Sequence, residues 1–297
     1  MKAYVGITDY DWYTQLASHS YDEINFWRPG GGSSFRVLMP GELFLFKLHS
    51  PRNYIVGGGF FVSFSLLPTF LAWEAFDKKN GTASLEELER KIAKYKKDDN
   101  LNPNIGCIIL RDPFFFPEEE WIPAPTDWQP SIVQGKTYTH DNPIGRHLIE
   151  SVLERIPFYA NGVKEERFGY GEARYRLGQG AFRVLVTDAY KRRCAISGEK
   201  TLPVLEAAHI RPYSHGGVHK IDNGILLRKD IHVLLDKGYL TVTPSYNIEV
   251  SPRLDADYGN GRIYYHYHGL LLPNLPSREE ERPSKESLIW HNENIFR

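Results

Sequence analysis

Six prolines crowd one stretch of the chain: Pro113, Pro117, Pro123, Pro125, Pro130 and Pro143. Proline has no N–H and a fixed φ, so neither a helix interior nor a central strand tolerates this spacing. With the acidic run Glu118-Glu119-Glu120 inside it, the stretch reads as the boundary between two globular regions. The sequence therefore divides into an N-terminal domain over 1–140, a linker and helix over 141–165, and a C-terminal domain over 166–297. Domains commonly run about 100–200 residues, so two fit the 297 residues of the chain. Hydrophobic residues make up 41% of it, and 36 Lys+Arg balance 37 Asp+Glu, which excludes a disordered chain and one coated in basic residues. Any basic surface is local.

Two cysteines, Cys107 and Cys194, and no Cys-x-x-Cys pair exclude a disulfide framework and a cysteine-built zinc site, so no structural zinc is expected. The N-terminus lacks the basic-then-apolar layout of a signal peptide. No apolar run approaches the roughly 20 residues that span a bilayer. A cytoplasmic protein with no membrane partner is the expectation.

Short β-like runs, Glu42-Leu-Phe-Leu-Phe-Lys-Leu48, Tyr54-Ile-Val56 and Ile105-Gly-Cys-Ile-Ile-Leu110, alternate in the first half with a capping box at Ser84-Leu-Glu-Glu87. The box predicts a helix to about Lys97, because the Ser oxygen and the Glu carboxylate satisfy free N–H groups of its first turn. That half reads as α+β. A helix from Gly145 to about Arg155 is expected to open the second half. Another, near Gly180 to Lys191, carries Phe182, Leu185, Val186 and Tyr190 at helical spacing.

The chemistry sits downstream. Leu205-Glu-Ala-Ala-His-Ile-Arg-Pro212 is followed by the turn Gly216-Gly217, by Asp222-Asn-Gly-Ile-Leu-Leu227 and by Lys229-Asp-Ile-His-Val-Leu-Leu-Asp-Lys-Gly238, a strand, loop, strand and helix. His209 closes the first strand, Asn223 follows 14 residues on, and His232 nine further, on the helix. This spacing resembles the HNH, or ββα-metal, nucleases. The resemblance implies that His209 is the general base, that Asn223 fixes the loop and orients it, and that His232 holds one divalent cation, Mg²⁺ or Mn²⁺. Asp236, one helical turn beyond His232, is expected to be a ligand or to brace His232. The residue before the base, an Asp or His in many members, is Ala208 here. Glu206 replaces it only if a bulge rotates it, since i and i+3 on a strand face opposite ways. His215 and His219 read as solvated loop residues. Zinc-binding cysteine pairs found in many relatives are absent, so apolar residues such as Ile196, Leu205, Ile225 and Leu227 are expected to hold the hairpin.

From Lys164 to Asp230 the chain carries 13 Lys+Arg against 8 Asp+Glu. Arg174, Arg176 and Arg183 approach the motif, and Lys191, Arg192, Arg193 and Arg211 are the expected DNA contacts.

In the first half, Asp22-Glu-Ile-Asn-Phe-Trp27-Arg-Pro29, Pro40-Gly-Glu42, Phe44-Leu-Phe46-Lys47, Ile55-Val-Gly-Gly-Gly59 and Leu71-Ala-Trp73 resemble the PUA-like superfamily of EVE, YTH, ASCH and SRA domains. The resemblance implies a β-barrel with flanking helices and an aromatic pocket that accepts a flipped base. Trp27 and Trp73 are expected as cage walls, Asp22 and Asn25 as polar readers, and Tyr10 and Trp12 as further walls. The whole chain is thus expected to be α+β, a PUA-like reader followed by an HNH domain. A base reader joined to a cutter implies a restriction endonuclease acting on double-stranded DNA that carries modified bases, 5-methylcytosine or 5-hydroxymethylcytosine foremost. An HNH nuclease of mobile-element or structure-specific purpose, and a non-catalytic reader that keeps the scaffold, are the alternatives. One HNH site cuts one strand, so cutting both calls for a homodimer or two binding events.

Overall fold

The structure is a computed structural model that describes residues 1–30, 34–95, 100, 102–156 and 177–297. It divides into two compact units, Met1–Tyr175 and Arg176–Arg297, and is α+β throughout.

The first unit is built on one mixed sheet. Its elements are β1 (Lys2–Thr8), α1 (Tyr10–Ala17), β2 (Glu23–Arg28), β3 (Leu43–Leu48), β4 (Tyr54–Pro68), α2 (Thr69–Phe76), α3 (Leu85–Ala93), β5 (Asn104–Phe115), β6 (Ile122–Pro123), β7 (Gly135–Thr139) and α4 (Pro143–Arg155). The strand order is β2-β5-β4-β3-β1-β7, with β6 on β4. Among the described residues of this unit, only β1 and β3 run parallel; the other pairs are antiparallel.

Both faces of this sheet are covered, and β3 shows how the sequence arranges it. All six of its residues are buried. Alternation sends Phe44, Phe46 and Leu48 into one apolar cluster with Trp12, Leu16, Phe26 and Ile108, while Leu43 and Leu45 join Val5, Ile55, Phe60 and the α4 residues Leu148, Ile149 and Val152. The long β4 carries two register shifts against β5, between Gly58 and Phe60 and between Phe61 and Ser63. Such shifts bend a strand. The glycine triplet permits the close approach: a Cβ on Gly57 would stand 2.3 Å from the Phe114 carbonyl oxygen.

Three expectations change. The proline stretch is not a boundary, because it supplies the end of β5, β6 and β7 to the sheet of the first unit. Pro113 lies in β5 beside the first register shift, Pro123 ends the two-residue β6, and Pro143 opens α4 at its first turn. Asn142 caps that helix, its Oδ1 accepting from the Ile144 and Gly145 N–H groups. The helix expected to open the second half thus belongs to the first, since its apolar face is buried on β1 and β3 residues. Helix α3 ends at Ala93, a turn short of Lys97. Its cap works as read at Ser84, whose Oγ accepts the Glu87 N–H at 3.3 Å, but the Glu87 carboxylate takes the N–H of Ala83 rather than of Ser84.

The second unit contains α5 (Gln179–Ala189), β8 (Leu205–His209), β9 (Gly224–Arg228), α6 (Lys229–Asp236), β10 (Leu240–Val242), β11 (Ile248–Val250), α7 (Arg253–Tyr258), α8 (Arg262–Tyr265) and α9 (Lys285–Asn294). Strands β8 and β9 form an antiparallel pair in unbroken register, Leu205 opposite Arg228 through His209 opposite Gly224. Its apolar residues Leu205, Ala208, Ile225 and Leu227 are buried with Phe182 and Val186 of α5, Ile196, and Ile231 and Leu235 of α6. Cys194 is buried there too, its sulfur accepting the N–H groups of Ser197 and Arg228 at 3.3 Å. Among the described residues, no helix is long and apolar enough to cross a membrane.

Candidate active site and N-terminal cavity

In the second unit the β8–β9 pair and α6 bring the chemistry-bearing residues together. His209 ends β8 with its ring stacked on Phe182, centroids 4.0 Å apart and planes 11° from parallel. Its Nε2 is 2.9 Å from Nδ1 of His219. Burial, helped by the nearby His219 and His232, pushes its pKa from 6.5 down to about 4, so the imidazole is neutral at physiological pH.

Asn223 is buried immediately before β9. Its Oδ1 accepts the Arg211 N–H at 2.9 Å, and its Nδ2 donates to the carbonyls of Arg211 and Val218, both at 3.0 Å. One amide side chain therefore ties both limbs of the loop, and the Ile210 N–H to Asn223 carbonyl bond at 2.9 Å closes it next to His209. The turn between the limbs requires glycine, since a Cβ on Gly217 would lie 1.9 Å from the Arg211 carbonyl oxygen.

His232 projects from α6. Its Nδ1 is 2.9 Å from the Glu206 carboxylate, and its Nε2 is 3.4 Å from Asp236 Oδ2, one turn along the helix. Burial pushes the Asp236 carboxyl up, an effect His232 opposes and Glu206 reinforces. Glu206 thus meets His232 with no bulge in β8, contrary to the sequence reading. A helix that starts directly after β9 passes close to the hairpin, and the long side chain covers the remaining distance. Ala208 is wholly buried, so its position lends nothing to the site.

An imidazole with carboxylates is a donor set suited to a divalent cation. Among the described residues, no three His, Cys, Asp or Glu side chains gather into a site that could hold a metal ion. His232 Nε2 and the Asp236 carboxylate remain as a facing pair. A pair of this kind fits Mg²⁺, which keeps much of its shell in water and substrate phosphate.

The expected DNA contacts divide. Lys191 and Arg193 are exposed in the turn after α5, while Arg192 is half-buried, its Nε 3.3 Å from Asp188. Arg211 is engaged within the loop: its Nε donates to the His215 carbonyl at 2.9 Å and its guanidinium lies over the Trp290 ring. Arg183 is half-buried in α5; Arg174 and Arg176 lie outside the described residues.

The first unit contains a cavity of about 370 Å³. Trp12, Trp27, Phe26, Phe44 and Tyr4 supply aromatic walls, and Arg28, Gln134, Asp9 and His49 supply polar groups. Trp12 and Trp27 donate their indole N–H groups to one acceptor, the Asn80 carbonyl, at 3.1 and 3.0 Å. Their rings are fixed by a shared anchor.

The other four expected pocket residues lie elsewhere. Asn25 is buried in the sheet, its Nδ2 donating to Asn80 Oδ1 at 2.8 Å, because β2 pairs with β5 and turns that side chain into the protein. Asp22 is on the surface in an ion pair with Lys79 at 2.7 Å. Trp73 is half-buried on α2 and does not line the cavity. Tyr10 lies at the exposed end of α1, with Arg52 stacked 3.9 Å from its ring centre.

Sequence reasoning passed over Glu206 as a partner of His232, His219 as a partner of His209, and the cavity pair Arg28 and Gln134, joined at 2.5 Å. A second histidine in the motif loop was the visible signal for His219. Gln134 carried none, since it falls in the proline-rich stretch read as a boundary.

Comparison with known proteins agrees with the second unit's chemistry. Residues 194–243 match the HNH_2 family of HNH endonucleases. This part of the chain is similar to HNH endonuclease domains. No curated protein matches the chain. Among solved structures, the ASCH protein from Zymomonas mobilis shares 10% identity over 50% of this chain and 94% of its own, with a TM-score of 0.34. The modification dependent TagI restriction endonuclease shares 14% identity over 97% of this chain and 81% of its own, with a TM-score of 0.30.

Proposed function

We propose that the protein is a modification-dependent DNA endonuclease that hydrolyses phosphodiester bonds at the β8–β9–α6 site and reads a modified base, 5-methylcytosine or 5-hydroxymethylcytosine, in its N-terminal cavity. The observation that carries the cleavage reading is the arrangement of a neutral His209 at a strand end, a loop locked by Asn223, and His232 facing Asp236 on the adjoining helix.

In this reading His209 takes a proton from water as that oxygen forms its bond to phosphorus and the phosphorus–oxygen bond of the leaving group breaks. The leaving oxygen then collects a proton from solvent. Neutral imidazole suits the role because its lone pair is available. His232 and Asp236 would hold Mg²⁺ or Mn²⁺, which would neutralise charge on the phosphate. Asn223 keeps the strand end and loop in place, and Lys191, Arg192 and Arg193 attract the DNA backbone.

The reader assignment is supported by cavity volume and lining. Small-molecule pockets begin at about 300 Å³, and aromatic walls stack a flipped base while Arg28 and Gln134 present hydrogen-bonding groups to its edge. Two histidine-bearing sites on two bound copies would cut both strands, so a homodimer on DNA is expected. Ala208 motivates the second reading, a binding protein without cleavage, since the position gives no ligand. Metal-dependent nicking of plasmid decides between them, and methylated against unmodified plasmid tests the reader.

A further inference from the structure

His219 lies in the loop between β8 and β9, where the HNH pattern asks for nothing in particular, yet it meets the expected base directly. Its ring is parallel to Tyr213, centroids 5.0 Å apart and planes at 13°, and packs against Phe182 at 5.6 Å. Its Nδ1 lies 2.9 Å from His209 Nε2. Phe182 stacks on His209 as well, so a single aromatic side chain supports both imidazoles.

A hydrogen bond between two imidazole nitrogens needs one proton, and which ring supplies it fixes both tautomers. If His219 donates, His209 Nε2 is the acceptor, the proton of neutral His209 is on Nδ1, and no lone pair is left for water. If His209 donates from Nε2, its Nδ1 lone pair is free. No described residue engages that Nδ1 in a hydrogen bond. Only the second arrangement gives a base.

We infer that His219 is a positioning residue that accepts the Nε2–H of His209 and so holds the base in the tautomer whose Nδ1 can take a proton from water. This rests on the nuclease reading proposed above. After proton transfer, His209 carries protons on both nitrogens, and its Nε2–H remains on His219 Nδ1. The aromatic support holds both rings in the geometry this requires.

Two substitutions separate hydrogen bonding from packing. His219→Phe keeps an aromatic ring between Tyr213 and Phe182 but offers no acceptor; His219→Gln offers an amide oxygen without the ring. Long-range ¹H–¹⁵N spectra of the metal-free full chain at neutral pH read the His209 tautomer without any cleavage, with His209→Ala assigning the signals. The expected result is the Nε2–H tautomer in the parent and in His219→Gln, and a mixture of tautomers in His219→Phe. Nicking by His219→Phe should fall about 10–100-fold, the usual effect of losing a partner that orients a site histidine, while His219→Gln restores most of it. An Nδ1–H tautomer in the parent, or an unchanged spectrum in His219→Phe, overturns the proposal. A parent chain with the expected tautomer that nicks no DNA under any metal would overturn the nuclease reading and leave the tautomer assignment standing.

Discussion

The nuclease site and the cavity differ in how far apart their residues lie along the chain. From Glu206 to Asp236, a hairpin and one helix supply His209, His219, Asn223 and His232. The cavity takes Tyr4 from β1, Trp12 from α1, Trp27 from β2, Lys91 from α3 and Gln134 from the segment before β7. A site made by local structure keeps its spacing in the sequence, whereas one made by sheet pairing depends on registers that composition does not disclose. The first should therefore tolerate reasoning from motif alone, and the second should not.

Substitutions can break this contrast. The largest effect is expected at His209. His209→Ala should slow cleavage about 10²–10⁴-fold, as loss of a general base does, with DNA binding retained. Quenched-flow nicking alongside gel-shift titration measures both, and near-parental cutting would remove His209 from the role.

Next come the helix residue and the carboxylate behind it. Chelator should abolish cutting, with Mg²⁺ or Mn²⁺ restoring it. Glu206→Gln should weaken Mn²⁺ affinity about 10–100-fold, because the carboxylate fixes the His232 ring whose far nitrogen would hold the ion. Calorimetric Mn²⁺ titration tests this. Equal affinity would show that the 2.9 Å contact of Glu206 to His232 does not serve the cation.

A smaller effect belongs to the cavity. In the non-cutting His209→Ala background, Trp27→Ala should lower preference for modified duplex by about 1–3 kcal/mol, the worth of one stacked base. Trp73→Ala, away from the cavity, should leave it unchanged. If Trp73 mattered and Trp27 did not, the base would be read elsewhere.

The smallest effect is in pH. His209 has a folded pKa of about 4 against an ordinary 6.5, and its neutral form is the reactive one. Activity should stay level as pH falls through 6.5 and fail only near 4. Between those values the unfolded chain binds a proton that the folded chain refuses, so stability should decline as pH drops through that window. Initial rates and thermal melting across the same buffers would show both. An acid limb at 6.5 would mean that packing on Phe182 does not hold the ring's pKa down.

Legibility follows the same division. The His209–Asn223–His232 spacing was readable because a β-hairpin and the helix that follows convert sequence distance into spatial distance with little freedom. Glu206 was misjudged because strand alternation describes where Cβ atoms point, while its carboxylate reaches His232 through the length of the side chain. The proline stretch misled for a related reason. Proline forbids a central ladder position but permits a bulge, an edge or a first helical turn, and Pro113, Pro123 and Pro143 occupy those three. Asn25 looked like a reader, yet β2 turns it into the core, where Asn80 and the Cys107 sulfur accept its amide N–H groups. Trp12 and Trp27 were visible as aromatics, but their common anchor, the Asn80 carbonyl, lies more than fifty residues away in sequence.

The central claim, that one chain reads a modified base and cuts through His209, is tested most directly by plasmid nicking. The parent and His209→Ala would be compared on unmodified, 5-methylcytosine and 5-hydroxymethylcytosine plasmids, with Mg²⁺ or Mn²⁺ and with chelator. The account predicts metal-dependent nicking by the parent that is strongest on a modified plasmid and lost in His209→Ala. Equal nicking of all three plasmids, or nicking that survives in His209→Ala, would contradict it.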